Sequence, residues 1–228
     1  MKTRKIFYSL AVLLTAIFTQ SCLKNNGHEP DNKYYPNGIV TVKTSPDNTI
    51  FLQLDDQTTL LPVNIKKHPF EGKEVRALLN FEEVQEKHEG YTKAVKVNWI
   101  DSILTKQTIP YVIADEKKYG NDQLEILNDP KKAIEDGYLN LKIRTVWSQS
   151  TKRHMLNLVS GKNPDEPYEL ELRHNAFGDI YGRPADAYVA FNLKSLPDTK
   201  GETVKIKLVW RSFYGEKHTL IDYKTKEK

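Results

Sequence analysis

YLNLKIRTVW, residues 138–147, is the stretch that decides the fold. Leu139, Leu141, Ile143, Thr145 and Trp147 alternate with Asn140, Lys142 and Arg144. Successive side chains of a strand point to opposite faces. The segment therefore reads as a strand with one apolar face and one solvated face, the mark of an antiparallel sheet packed on one side. The pattern recurs downstream in HMLNLVS (154–160), YELELRH (168–174), AYVAFNL (187–193), VKIKLVWRSF (204–213) and HTLIDY (218–223). In the fourth of these, Val204, Ile206, Leu208 and Trp210 are expected inside, with Lys205 and Lys207 in water. Six or seven such strands at regular spacing predict an antiparallel β-sandwich. DPKKAIEDG (129–137) is expected to make a helical turn or two before it.

Upstream the signal is also β, but the strands are shorter. GIVTVKT (38–44) and TIFLQLD (49–55) flank the turn sequence Ser45-Pro46-Asp47-Asn48. Thr58 to Leu61 continues them. EVRALLNFEEV (74–84) alternates Val75, Ala77, Leu79 and Phe81, expected inward, with Arg76, Leu78 and Asn80. AVKVNWIDSIL (94–104) places Val95, Val97 and Trp99 on one face. Five short strands of this kind suit an OB-like small barrel. Pro110, Gly120 and a charged cluster in 105–122 read as a break. The expected layout is a barrel domain over 38–106 and a sandwich domain over 107–228, an all-β chain.

The N-terminus is of a different kind. Lys2, Arg4 and Lys5 precede the apolar run Ile6 to Phe18, which is short of the roughly 20 residues a membrane-spanning helix needs. It reads as a secretory signal over 1–21. Ser21 then precedes Cys22, the one cysteine of the chain, with Thr19 where a lipobox usually has Leu. This predicts diacylglyceryl attachment at Cys22, an anchor in the cell envelope, and the outer membrane as its site. Residues 22–37, polar with Pro30 and Pro36, read as a tether. A single cysteine rules out disulfides and cysteine metal sites.

These segments resemble the NigD-like family of Bacteroidetes lipoproteins. The resemblance rests on NGIVTVK, FLQLDDQTTLLP, KEVRALLNFEEV, VKVNWIDSILTK, DGYLNLKIRTVW, NPDEPYELELRHNAFGD and VAFNLKSLPDTKGETVKIKLVWRSF, in that order from residue 37 to about 223. It implies an N-terminal OB-like domain and a C-terminal β-sandwich. It also implies a link to bacteriocin immunity, through the operon that gave the family its name, and assigns no catalytic residue.

Chemistry-bearing motifs are sparse. Of the 34 basic residues, against 30 acidic, three sit in the first five positions, so the exported body is close to neutral. In residues 36–105 acidic residues outnumber basic ones. Nucleic-acid binding, which rests on Lys and Arg contacts to phosphate, is not expected, and Phe51, a candidate stacking aromatic, has no basic surround. The six histidines, His28, His68, His88, His154, His174 and His218, show no metal-ligand spacing and read as surface residues. Asp55-Asp56 lacks the spacing of a calcium loop and reads as a turn. Trp99, Trp147 and Trp210 are expected in the core. The richest polar loop is RHNAFGDIYGRPAD (173–186), where His174 as a base oriented by Asp179 is the one catalytic arrangement to test. No nucleophile motif accompanies it. No catalytic residue, metal or cofactor is expected. The leading expectation is a lipid-anchored interaction module with an envelope protein as partner, and the alternative is a glycan- or small-molecule-binding lipoprotein.

Overall fold

The computed structural model describes residues 32–85, 88–148 and 151–226. The predicted signal, Cys22, His28 and the tether up to residue 31 lie outside them. Strands β1 (Gly38–Thr44), β2 (Ile50–Gln53), β3 (Thr59–Pro62), β4 (Val75–Val84) and β5 (Lys93–Ser102) close a barrel in the order β1-β2-β3-β5-β4. The β1–β2 turn is built by Asp47, whose Oδ1 accepts the Thr49 amide at 3.1 Å, with Asn48 at φ 66°. Val40, Val42, Leu52, Leu60, Ala77, Leu79 and Val95 fill the barrel and are fully buried. Alternation placed them there.

Only Ile103 separates β5 from β6 (Leu104–Gln107). The chain continues through β7 (Ile109–Pro110), helix α1 (Glu116–Tyr119), β8 (Glu125–Ile126) and β9 (Ile134–Glu135). The long strands follow: β10 (Tyr138–Trp147), β11 (Met155–Ser160), β12 (Glu169–Asn175), β13 (Arg183–Asn192), β14 (Val204–Ser212) and β15 (Gly215–Tyr223). One sheet runs β6-β13-β10-β8, with β9 also on β10, and the other β15-β14-β12-β11-β7. Their inner faces meet through Leu139, Leu141, Ile143, Leu158, Leu170, Phe191, Ile206 and Leu208. Trp210 completes the inward series of β14 at 8% exposure.

Two details differ from the sequence reading. Stretch 105–122, expected as a break, gives β6 to one sheet, β7 to the other and α1 to an outer face. And while the hairpin pairs are antiparallel, β12 with β14, β13 with β6 and β11 with β7 are parallel.

The barrel docks on the sandwich through its supposed solvent face. Arg76, alternating with Val75 and Ala77, was expected outside. It is 0% exposed. Its Nε donates to Asn140 Oδ1 at 3.0 Å, Nη1 to Thr41 Oγ1 at 3.0 Å, and Nη2 to Glu135 Oε2 at 2.9 Å and to the Ile39 carbonyl at 3.3 Å. Beside it Asp136 accepts from Thr41 Oγ1 at 2.5 Å, from Lys43 Nζ at 2.9 Å and from Lys226, while its amide donates to Asp56 at 3.1 Å. Burial raises the Asp136 carboxyl, but the Lys226, Lys43 and Thr41 hydrogen bonds outweigh it and hold the group below the ordinary carboxylate range. Apolar contact completes the joint: Ile39 and Leu78 of the barrel pack with Ile103 and with Tyr138 and Ala190 of the sandwich.

Removing one member of a buried ion pair strands the other and costs about 3–5 kcal/mol. Glu135 keeps 36% of its side chain in water, so Arg76→Ala should cost less than that, about 1–3 kcal/mol in urea titration, chiefly from the Thr41 and Asn140 partners it leaves unpaired. A loss below about 1 kcal/mol, the range of exposed pairs, would mean that the joint is hydrated and weak.

Candidate functional site

The stretch 173–186, expected as one loop, is the end of β12, a turn over 176–182 and the start of β13, and it closes the sandwich end farthest from the barrel. It is pinned at its start: the Asn175 side chain accepts the Phe177 amide at 2.9 Å, and the Ala176 amide donates to Asp122 Oδ2 at 2.7 Å. Gly182 passes so close to β10 that a Cβ there would lie 2.2 Å from the Trp147 carbonyl oxygen.

His174 and Asp179, the residues singled out by the sequence, do not touch as a simple pair. His154 stands between them. His154 Nε2 is 3.3 Å from Asp179 Oδ2, and His154 Nδ1 is 2.9 Å from His174 Nε2. His174 Nδ1 lies 3.1 Å from the Gln123 carbonyl. At the other end, the Ser148 hydroxyl and its amide both donate to Asp179 Oδ1, the amide at 3.1 Å. His154 and His174 were expected on the surface; both rings are buried.

The chain of partners fixes where protons sit. A carbonyl only accepts, so His174 Nδ1 carries the hydrogen toward Gln123. A neutral His174 then accepts at Nε2 from His154 Nδ1. His174 is held below the ordinary histidine value, by burial first and by the charge of His154 as well. This is not a nucleophile relay. In a serine triad the hydroxyl is bonded to the imidazole that takes its proton; here Ser148 is bonded to the carboxylate, and no imidazole is placed to activate it. The adjoining cavity, lined by Val146, His174, Asp179, Ile180 and Phe213, is about 150 Å³, below the 300–1,000 Å³ of ordinary ligand pockets. Among the described residues, no three His, Cys, Asp or Glu side chains are placed to hold a metal ion.

Over this buried chain lies an exposed aromatic tip. Trp147 was expected in the core. It stacks on His154 at 4.8 Å between ring centroids and leaves 36% of its surface in water. Its Nε1 donates to the Lys152 carbonyl at 3.1 Å, and Lys152 Nζ to the Phe177 carbonyl at 3.1 Å. Phe177 is 50% exposed and Tyr181 79%. Ile180 and Tyr214 are exposed beside them.

The remaining sequence candidates are structural. Asp55 Oδ1 accepts the Gln57 and Thr58 amides at 2.9 and 2.8 Å, the expected turn. His68 Nδ1 accepts the Phe70 and Gly72 amides, both at 3.1 Å. Phe51 packs near Tyr91. Trp99 is only partly buried, its Nε1 donating to the Lys33 carbonyl at 2.5 Å. A second cavity, about 510 Å³, lies where barrel and sandwich meet and is lined by Lys43, Asp136, Tyr138, Lys194, Tyr223 and Lys226. Burial there pushes the Tyr138 hydroxyl up to about 12.

Two family profiles match in tandem. The NigD-like N-terminal OB domain covers residues 39–103, and the NigD-like C-terminal beta sandwich domain covers 106–223. The chain belongs to the NigD-like family. Among solved structures, one described as toxin related, from Parabacteroides distasonis, is 36% identical over 82% of this chain and 92% of its own, with a TM-score of 0.71. A NigD-like immunity protein from Bacteroides caccae is 22% identical over 82% and 90%, TM-score 0.57. A protein from Bacteroides fragilis described as a lipoprotein is 14% identical over 83% and 98%, TM-score 0.56. The last two share the fold. No curated protein matches.

The buried neutral His174 gives this NigD-like protein a pH dependence of defined sign. Unfolded, the ring takes a proton near the ordinary histidine value of 6.5; folded, only at lower pH. The contribution of His174 is thus complete above about 6.5 and is lost as pH falls below it. Melting temperature should drop from pH 7 to pH 5, and His174→Gln should flatten that slope. An unchanged slope in the variant would place the acid sensitivity elsewhere.

Proposed function

We propose that this protein is a non-enzymatic, lipid-anchored envelope protein that binds a partner protein through the aromatic tip of its sandwich. The observation behind this reading is the exposed set Trp147, Phe177, Ile180 and Tyr181, mounted on a buried Asp179–His154–His174 chain that the exposed Ser148 caps at the carboxylate. Exposed apolar patches with a polar rim mark interaction sites. The name of the Bacteroides caccae immunity protein agrees with a protein partner, and that of the Bacteroides fragilis lipoprotein with the anchor.

Under this reading residues 1–21 are the export signal, Cys22 takes the lipid, and a tether leads to a body divided near residue 106; the end of the expected 22–37 tether is bonded to the barrel, through Lys33, Tyr35 and Asn37. Such a tether keeps the body near the membrane. It raises the effective concentration of the tip for partners held at the same membrane, the outer membrane in this proposal. A second reading, a small-molecule ligand, draws on the cavity of about 510 Å³ beside Lys43 and Lys226. Both lysines already face Asp136, so the tip is the stronger site.

Two measurements test the reading. Metabolic labelling with a palmitate analogue should mark the wild-type protein and not Cys22→Ala; a labelled variant removes the anchor. A screen of purified protein against ester, peptide, phosphoester and glycoside substrates should give no turnover. Turnover abolished by His174→Ala or Asp179→Ala would make the loop an active site.

A further inference from the structure

The sandwich tip has a charge pattern as well as an apolar one. We propose that it docks an acidic, apolar segment of a partner protein: Trp147, Phe177 and Tyr181 receive the apolar side chains, and Lys152, Arg153 and Arg183 the carboxylates. This rests on the tip reading above and names the chemistry of its partner.

The geometry places the two kinds of group together. Arg183 opens β13 directly opposite Trp147, the last residue of β10. Arg153 adjoins His154, on which Trp147 stacks. Lys152 is fixed near Phe177 by its hydrogen bond to that residue's carbonyl. All three cations are exposed. The neighbouring acids are committed elsewhere. Asp179 is buried and takes Ser148 and His154. Asp122 takes the Ala176 amide. Asp186 is held by Arg144, at 2.6 Å from Nε and 3.0 Å from Nη2.

The tip thus offers three cations around exposed aromatic rings, while the nearby carboxylates of Asp122, Asp179 and Asp186 are engaged by other groups. An arginine beside an aromatic face suits a carboxylate-bearing, apolar ligand, because guanidinium pairs with carboxylate in a planar fork and is weakly hydrated. Complementary charge sets which partner is accepted and how fast it arrives, while the apolar centre supplies most of the hold. A basic partner is refused by the same groups. The rings are also not free to collapse onto the protein. Trp147 is braced by His154 below and by its own indole bond to Lys152, so the surface is preformed, and less ordering is required on binding.

The test uses the full-length protein in detergent micelles and three synthetic peptides of equal length: Glu/Asp with Leu/Phe, Lys/Arg with Leu/Phe, and Glu/Asp with Gly/Ser. Binding is read by tryptophan fluorescence and by NMR shifts. The acidic apolar peptide should bind saturably, more weakly as salt rises, and the other two should not. An R153E/R183E double variant changes only exposed side chains and should keep the wild-type melting temperature. It should lose about tenfold or more in affinity, as expected for charge pairs at an interface. Trp147→Ala should lose binding as well. Equal binding of acidic and basic apolar peptides, or full affinity in R153E/R183E, would overturn the acidic partner, and so would no binding of the acidic apolar peptide.

A photocrosslinking residue at position 181 in living cells separates this from the tip reading itself. An adduct at 181 that survives R153E/R183E leaves the tip as the site and rejects the acidic partner. Adducts only from a control position on the barrel, such as 91, reject both. An adduct at 181 that disappears with R153E/R183E supports both.

Discussion

A guanidinium cut off from water must be given a hydrogen bond for nearly every N–H it carries, or the fold that buries it does not persist. Arg76 is in that position, and meeting its demand ties the molecule together. Its partners come from both bodies: Thr41 and the Ile39 carbonyl from the barrel, Asn140 and Glu135 from the sandwich. None of these can be supplied unless the two bodies are held in one relative placement. Asp136 makes the same demand in the opposite sign and is met by Lys43, Lys226 and Thr41. Ion pairs of this kind contribute less net stability than their number suggests, since burial costs much of what pairing returns. What they impose is geometry: a slipped or rotated joint would leave a buried charge alone.

That fixed joint gives meaning to the position of the tip. Tyr138, at the barrel end of β10, donates to Glu74 at 3.0 Å, and Trp147 is at the other end of the same ten-residue strand. At about 3.3 Å per residue the strand carries the tip roughly 30 Å from the joint. At the other end of the described chain, the Lys33 carbonyl is held against the barrel by Trp99. The buried His154–His174 chain is then a brace, setting the height and tilt of Trp147 without presenting a reactive group to solvent.

Much of this was legible in the sequence, and the exceptions have physical causes. Alternation placed Leu139, Leu141 and Ile143 of β10, and Ile206, Leu208 and Trp210 of β14, because each strand there has one face on a core. The same rule misplaced Arg76, because alternation tells one face of a strand from the other, not whether a second body covers the outer one; Asn80 is buried within the barrel unit itself, bonded to the Tyr35 carbonyl and to Asn98. Trp147 kept the parity of a core residue but stands at the last position of its strand, beyond the facing sheet. His154 and His174 were judged by spacing along the chain, whereas their contact is made across the β11–β12 pair, in which Leu156 lies opposite His174. Laying those two strands side by side as a hairpin would have brought the histidines together. Arg76 left no comparable signal; a single charged residue amid Val75, Ala77 and Leu79 looks like any solvated face.

The strands that leave the barrel have a consequence for how the chain reaches this state. β6 follows β5 after one residue, yet its partner is β13, about 85 residues further on. β7 waits in the same way for β11, and β12 for β14. Pairings between distant segments close long loops before any contact repays them, so they form slowly. The barrel's five strands all lie within residues 38–102 and can pair before the rest of the chain is present. Neither sandwich sheet can be completed until nearly the whole chain has followed. During that interval the first strands of the sandwich have unpaired edges, the open template from which strand-to-strand aggregation starts.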